Sequence, residues 1–215
     1  MSGRISTHDD FAFDALPGLP ERPPAGEDIL WQGRPSAFAL ARDAYKITWI
    51  AGYFAVVILW RAGTGFADGG LAMGLAMGLP YVILATLGLS LIWGLAWIQA
   101  RTTTYTLTTA RVVMQIGAAL PVTFNFPFVQ VGAANLDLRR DGTGTIALDT
   151  LGSTRISHLI AWPHVRPWHL AKTQPAMRSI PDARAVSQML ADAAEARVSM
   201  PQVTRAASLA TVAAE

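Results

Sequence analysis

ITWIAGYFAVVILW (residues 47–60) and GGLAMGLAMGLPYVILATLGLSLIWGLAWIQA (residues 69–100) contain no Asp, Glu, Lys, Arg or His. A membrane-spanning helix needs about 20 mostly apolar residues. Lys46 and Arg61 bracket the first stretch, and both can carry their charge to lipid headgroups on long stems, so the usable span widens to about 44–62. Trp49 and Trp60 fall near its ends, where amphipathic rings favour the membrane boundary, with Tyr53 between them. The second stretch is longer than one span and too short for two. Pro80 divides it, which predicts a span over about 80–100 that ends at Trp93, Trp97 and Arg101. Residues 69–79 then form a turn and a first helical stretch. The pattern Gly70-LAM-Gly74-LAM-Gly78 predicts a close helix contact, either with the chain's own neighbour around Gly52 and Ala55 or with another protein, a second copy included.

Outward from these stretches the composition changes. Of the 17 Lys and Arg residues, five lie at or before Lys46, one (Arg61) between the spans, and eleven from Arg101 onward. Basic residues stay on the cytoplasmic side, so both termini are expected there, with a Gly-rich loop around Thr64–Gly70 opposite. A formal net charge of +2 gives no case for nucleic acid. With no cysteine, disulfides, thiolate nucleophiles and thiolate metal sites are excluded. The first forty residues show no secretory signal pattern.

After Arg101 the pattern becomes that of strands. RTTTYTLTTARVVMQIG (101–117) reads as two strands about a Thr-Thr-Ala-Arg turn, and Val122–Phe128 as a third, between Pro121 and Pro127. Leu136, Leu138, Ile146, Leu148 and Ile156 alternate with polar residues, with turns at Asp141-Gly142 and Leu151-Gly152, which predicts an antiparallel meander with one buried face. A helix is expected from Pro181 to Arg197, capped by Ser179, with Val186, Met189, Leu190 and Ala193 at helical spacing.

Trp31-Gln-Gly33-Arg34-Pro35, two membrane helices, and then TTTYTLTTARVVMQIG resemble the bacterial pleckstrin-homology membrane proteins. Thr109 departs from that pattern, where Asn is usual. The resemblance implies an α+β membrane protein: a two-helix transmembrane hairpin, then a pleckstrin-homology-like antiparallel β-barrel or sandwich with a C-terminal helix. The implied domains are a cytoplasmic N-terminal segment (1–43), the hairpin (44–101), the pleckstrin-homology-like domain (102–198) and a flexible tail (199–215). HDDFAFDALPGLPERPPAGEDILWQGRP (8–35), NLDLRRDGTGTIALDTLG (135–152) and AWPHVRPWHLAKTQPAMRSIPD (161–182) further resemble the photosynthetic-complex assembly proteins of purple bacteria. That likeness implies a non-catalytic assembly factor for the reaction centre and core light-harvesting complex, in the cytoplasmic or intracytoplasmic membrane. Its partners would be nascent subunits and membrane lipids. A generic lipid- or envelope-related module and a pigment-handling protein are the alternatives.

Chemistry-bearing residues are few. His8 and His158 stand apart from His164 and His169, which fall in WPHVRPWH (162–169). Those two suggest a metal pair or a bacteriochlorophyll ligand, but a spacing of five suits neither a helix face nor a strand face, and two prolines intervene. The expectation is a proline-stiffened contact loop in which Trp162, His164, Arg166, Trp168 and His169 meet a partner. Arg139 and Arg140 are further candidates, for anionic lipid or an acidic partner. Asp141-Gly-Thr-Gly144 lacks the Lys-Ser/Thr of a phosphate loop and reads as a hairpin turn. No Ser-His-Asp set, no carboxylate pair in apolar surroundings and no acid–histidine metal spacing can be assembled, so no enzymatic activity is expected.

Overall fold

The computed structural model describes residues 18–19, 23–24, 26–117, 121–151, 156–169 and 172–199. The HDDFAF segment and nearly all of the 199–215 tail lie outside them.

Two antiparallel sheets form the domain. The first orders β1 (Ile29–Gly33), β2 (Thr104–Thr108), β3 (Arg111–Ile116) and β4 (Val122–Pro127) side by side, and the second orders β5 (Val131–Leu138), β6 (Gly144–Thr150) and β7 (Ala176–Ile180). Apolar side chains of β2 and β3 (Tyr105, Leu107, Val112, Met114) share one core with Ile146, Leu148, Met177 and Ile180 of the second sheet. The C-terminal helix, Ala183–Ser199, adds Val186, Leu190 and Ala193 to that core. These three recur every three or four residues, as one helical face requires.

The chain preceding the apolar run is part of this fold. β1 pairs with β2, Trp31 opposite Leu107 and Gly33 opposite Tyr105. The ring of Trp31 lies over Gly33, where any side chain would collide with it, which accounts for the Trp-x-Gly spacing. Just before β1, Glu27 accepts two bonds from the Arg111 guanidinium (2.7 and 2.8 Å) and one from the Thr108 hydroxyl (2.7 Å). Burial pushes the Glu27 carboxyl up, but these bonds outweigh it and hold the group below its usual range. A short helix, α1 (Ala37–Asp43), follows, with Ser36 at its N-cap and its own N–H donated to Ser179 O.

The apolar run departs from expectation. One helical run, α2 (Ile47–Thr102), replaces the two separately bounded helices at 44–62 and 80–100. It is the one helix among the described residues long and apolar enough to cross a membrane. Helical geometry fails only at Gly69 and Gly70. Gly70 takes φ 70° and ψ −160°, open to glycine and costly for other residues. Helical geometry continues through Pro80. Within apolar surroundings each backbone polar group must be satisfied locally, so a helix with one lost N–H costs less than a loop. The arms on either side of the break lie against each other: a side chain on Gly74 would meet Ala62 O at 2.9 Å, one on Gly78 would meet Ala62 Cβ at 3.1 Å, and one on Gly65 would meet Met73 O at 2.7 Å. The Arg61 guanidinium sits over the Tyr81 ring, 5.8 Å from its centre. Gly74 and Gly78 therefore pack on Ala62 and Phe66, not on Gly52, whose Cβ position is open; Gly70 serves the break.

The meander also needs correction. Ile146 and Leu148 are buried, but Leu136 is 39% exposed because β5 is an edge strand largely open to solvent. Ile156 lies outside any strand, and β7 was not foreseen. Ser179 belongs to β7, and the last helix starts two residues beyond Pro181.

Candidate functional site

Between β6 and β7, residues 157–169 and 172–175 are fastened at many points. His158–Ala161 makes a single helical turn, α3, and a cis Trp162–Pro163 bond follows. The chain then doubles back on itself. Val165 bridges Pro175, the Arg166 N–H donates to Gln174 O (2.9 Å), and the Ala176 N–H donates to His164 O (2.9 Å), which delivers the chain into β7. The Arg166 side chain donates to Gln174 Oε1 at 3.1 Å.

His164 is fully buried at the centre of this arrangement. The Arg178 N–H donates to the Tyr105 hydroxyl (3.2 Å), so that hydroxyl gives its own proton to His164 Nδ1 (2.5 Å). Nε2 then carries the ring proton and donates to Thr103 Oγ1 (3.1 Å). Burial, and then the Arg178 charge, lower the pKa of His164 to about 3, so the ring is neutral. Both ring nitrogens are engaged within the protein and none of the ring is exposed. His164 is thus a structural histidine, which corrects its expected place on a contact surface.

A pH dependence follows from this ring. An unfolded histidine titrates near 6.5, and the folded ring resists protonation down to about 3. Between these values the unfolded chain binds the extra proton, so stability falls as pH falls through this window and is fully present above it. At pH 5 the group should cost about 2 kcal/mol relative to pH 7.5. Urea unfolding in detergent at the two pH values should show a His164→Gln variant losing less stability over this range than the native chain; equal losses would overturn the assignment.

The loop is also tied to both ends of the helical run. Thr103, the partner of His164, directly follows the last residue of the run. At the other end, the rings of Trp162 and Tyr45 pack edge to face with centroids 5.1 Å apart. The Arg178 guanidinium donates to Pro163 O (3.2 Å) and to Asp43 O (3.1 Å).

The remaining predicted residues separate into engaged and open ones. Arg139 is engaged, with Nε 2.6 Å from the carboxylate of buried Asp43, which also pairs with Arg42. Arg42 in turn reaches Asp141 at 2.8 Å. This internal network explains why Arg139 is not a free binding cation; Arg140 is exposed beside it. Trp168 is 93% exposed, and His169 Nδ1 lies 3.0 Å from Pro167 O, so His164 and His169 do not converge. Among the described residues no group of three or more His, Asp or Glu is placed to hold a metal. In the Trp31 motif, Arg34 is exposed and Pro35 buried. Sequence reasoning missed Thr103, Tyr105, Asp43 and Arg178 as the fasteners of the loop. It also missed Leu159 and Ile160, which are 87% and 60% exposed on α3. Beside α3 an apolar groove of about 440 Å³ is lined by residues including Val122, Phe124, Leu151 and Ile160.

Comparison with known proteins bears on this architecture. The family model for the bacterial PH domain matches residues 45–194. The chain belongs to the bacterial PH domain family. A Rhodobacter capsulatus protein described as an uncharacterized 23.7 kDa protein in the puhA 5' region is 43% identical to it over 204 residues, 94% of this chain and 95% of that protein. No solved structure matches significantly. In this bacterial PH domain protein, the matched region opens at the helical run, and β1 lies ahead of it.

Proposed function

We propose that this protein is a non-catalytic membrane assembly factor for the photosynthetic reaction centre and its core light-harvesting complex, holding nascent subunits through its helical arms and its soluble domain. The observation that carries this reading is the 43% identity, over nearly the whole of both chains, to the Rhodobacter capsulatus protein of the puhA 5' region, which points to a photosynthesis-related role. The likeness of residues 8–35, 135–152 and 161–182 to photosynthetic-complex assembly proteins supports the same conclusion.

In this reading the two arms of α2 enter the cytoplasmic or intracytoplasmic membrane as a hairpin, with both termini on the cytoplasmic side. Three observations support the hairpin. β1 precedes the run and β2 follows it, yet the two strands are hydrogen-bonded partners, so the chain must enter and leave the run on one side. Ala62 lies against Gly78, which a straight helix would hold far apart. From Ile47 to Asp68 the first arm rises roughly 33 Å at about 1.5 Å per residue, close to the hydrocarbon thickness of about 30 Å. The excess of Lys and Arg outside the run supports the cytoplasmic assignment.

Deleting the gene in its host should lower the near-infrared absorbance of the reaction centre and core antenna several-fold while pigment synthesis continues. Unchanged absorbance and photosynthetic growth would overturn the proposal.

A further inference from the structure

We propose that α3 and the residue that follows it form a membrane-interface anchor, in which Leu159, Ile160 and Trp162 enter the boundary between headgroups and acyl chains on the side where the helical run begins and ends. The inference deepens the membrane reading given above and rests on it. Leu159 and Ile160 stand on a single helical turn, 87% and 60% exposed, while Ala161 beside them is buried and fixes the turn to the domain. Large aliphatic side chains presented this openly mark a surface that meets something apolar.

Position identifies what that something is. Trp162 packs on Tyr45, one residue ahead of Lys46 and two ahead of the start of the first arm. His164 bonds to Thr103, the residue after the end of the second arm. The exits themselves carry the residue types of a headgroup region: Tyr45 and Lys46 at one, and at the other Trp97 with the Arg101 guanidinium 4.6 Å from its ring centre. Trp162 and His164, just after the turn, hold it beside both exits and so near the depth of both, and there an aliphatic pair backed by a tryptophan meets lipid before it meets a soluble protein. A protein partner would need no such registration with the two exits. Anchoring at a third point would fix the tilt of the domain against the bilayer.

The chain has no cysteine, so single labelling sites can be introduced freely. Full-length Leu159→Cys, Gln188→Cys and Leu59→Cys variants would each carry a nitroxide in nanodiscs of phosphatidylcholine and phosphatidylglycerol. Collision rates with oxygen and with a water-soluble nickel chelate report depth. Leu59, on the outer surface of the first arm, tests the membrane reading itself; Gln188, exposed on the last helix, is the aqueous control. The expected result is an oxygen-to-nickel ratio at Leu159 several-fold above that at Gln188 and below that at Leu59. A ratio at Leu159 equal to that at Gln188, with Leu59 in lipid, overturns the anchor and leaves the face to a protein partner. A water-exposed Leu59 overturns the membrane reading, and the anchor with it. Ile160→Cys repeats the test at the neighbouring position and must give the same answer.

Discussion

Tyr105→Ala is expected to remove about 3–5 kcal/mol of stability from the β-sheet domain, the range for deleting a buried aromatic side chain. Typical domain stability is only about 5–15 kcal/mol. Tyr105 has no exposed surface, and its ring belongs to the shared core. Its hydroxyl also joins β2 to the loop through His164 and to β7 through the Arg178 N–H. Tyr105→Phe isolates this second role. The ring volume stays, but His164 Nδ1 and the Arg178 N–H both lose their partner in a site closed to water, at a cost of about 1–3 kcal/mol. Urea titrations of both variants in detergent, followed by far-ultraviolet circular dichroism, measure the two losses separately. A Tyr105→Phe midpoint equal to that of the native chain would show that the hydrogen-bonded network contributes nothing.

The second large effect concerns the arms. Gly74→Leu must place at least a Cβ 2.9 Å from Ala62 O and 3.3 Å from Phe66 Cβ, and the rest of the side chain has no space between the arms. Overpacking of this kind costs about 1–3 kcal/mol. At about 2–4 °C per kcal/mol for a chain of this length, the melting temperature should fall by several degrees. Gly94→Leu is the control, since nothing lies within 4 Å of a Cβ there. If both variants melt together, the arms are not in the close contact described.

Legibility in the sequence followed the range of the physical signal. β2, β3 and β4 could be placed almost to the residue because alternation and turn chemistry act between near neighbours. The last helix was legible for the same reason, through Val186, Leu190 and Ala193. Pro80 misled because a helix in apolar surroundings tolerates one lost N–H, whereas the break fell at two consecutive glycines nearly three turns earlier. β1 and α1 fall in what the sequence marks only as an N-terminal segment, since nothing local says that Trp31 will pair with Leu107 across the whole helical run. The sequence places His164 on a contact loop because its partners, Thr103 and Tyr105, lie some sixty residues away. The two tryptophans of the loop, Trp162 and Trp168, both present surface.

The pairing of β1 with β2 has a consequence for the order of events during synthesis. Translation yields β1 first, and it can find no partner until the ribosome has delivered the entire apolar run and the strand beyond it. On the proposed hairpin reading, if one arm failed to cross, β1 and β2 would be held on opposite faces of the bilayer, and β2, still paired with β3, would lack its outer neighbour. On that reading, the closing of this sheet edge by β1 thus depends on both arms having been threaded.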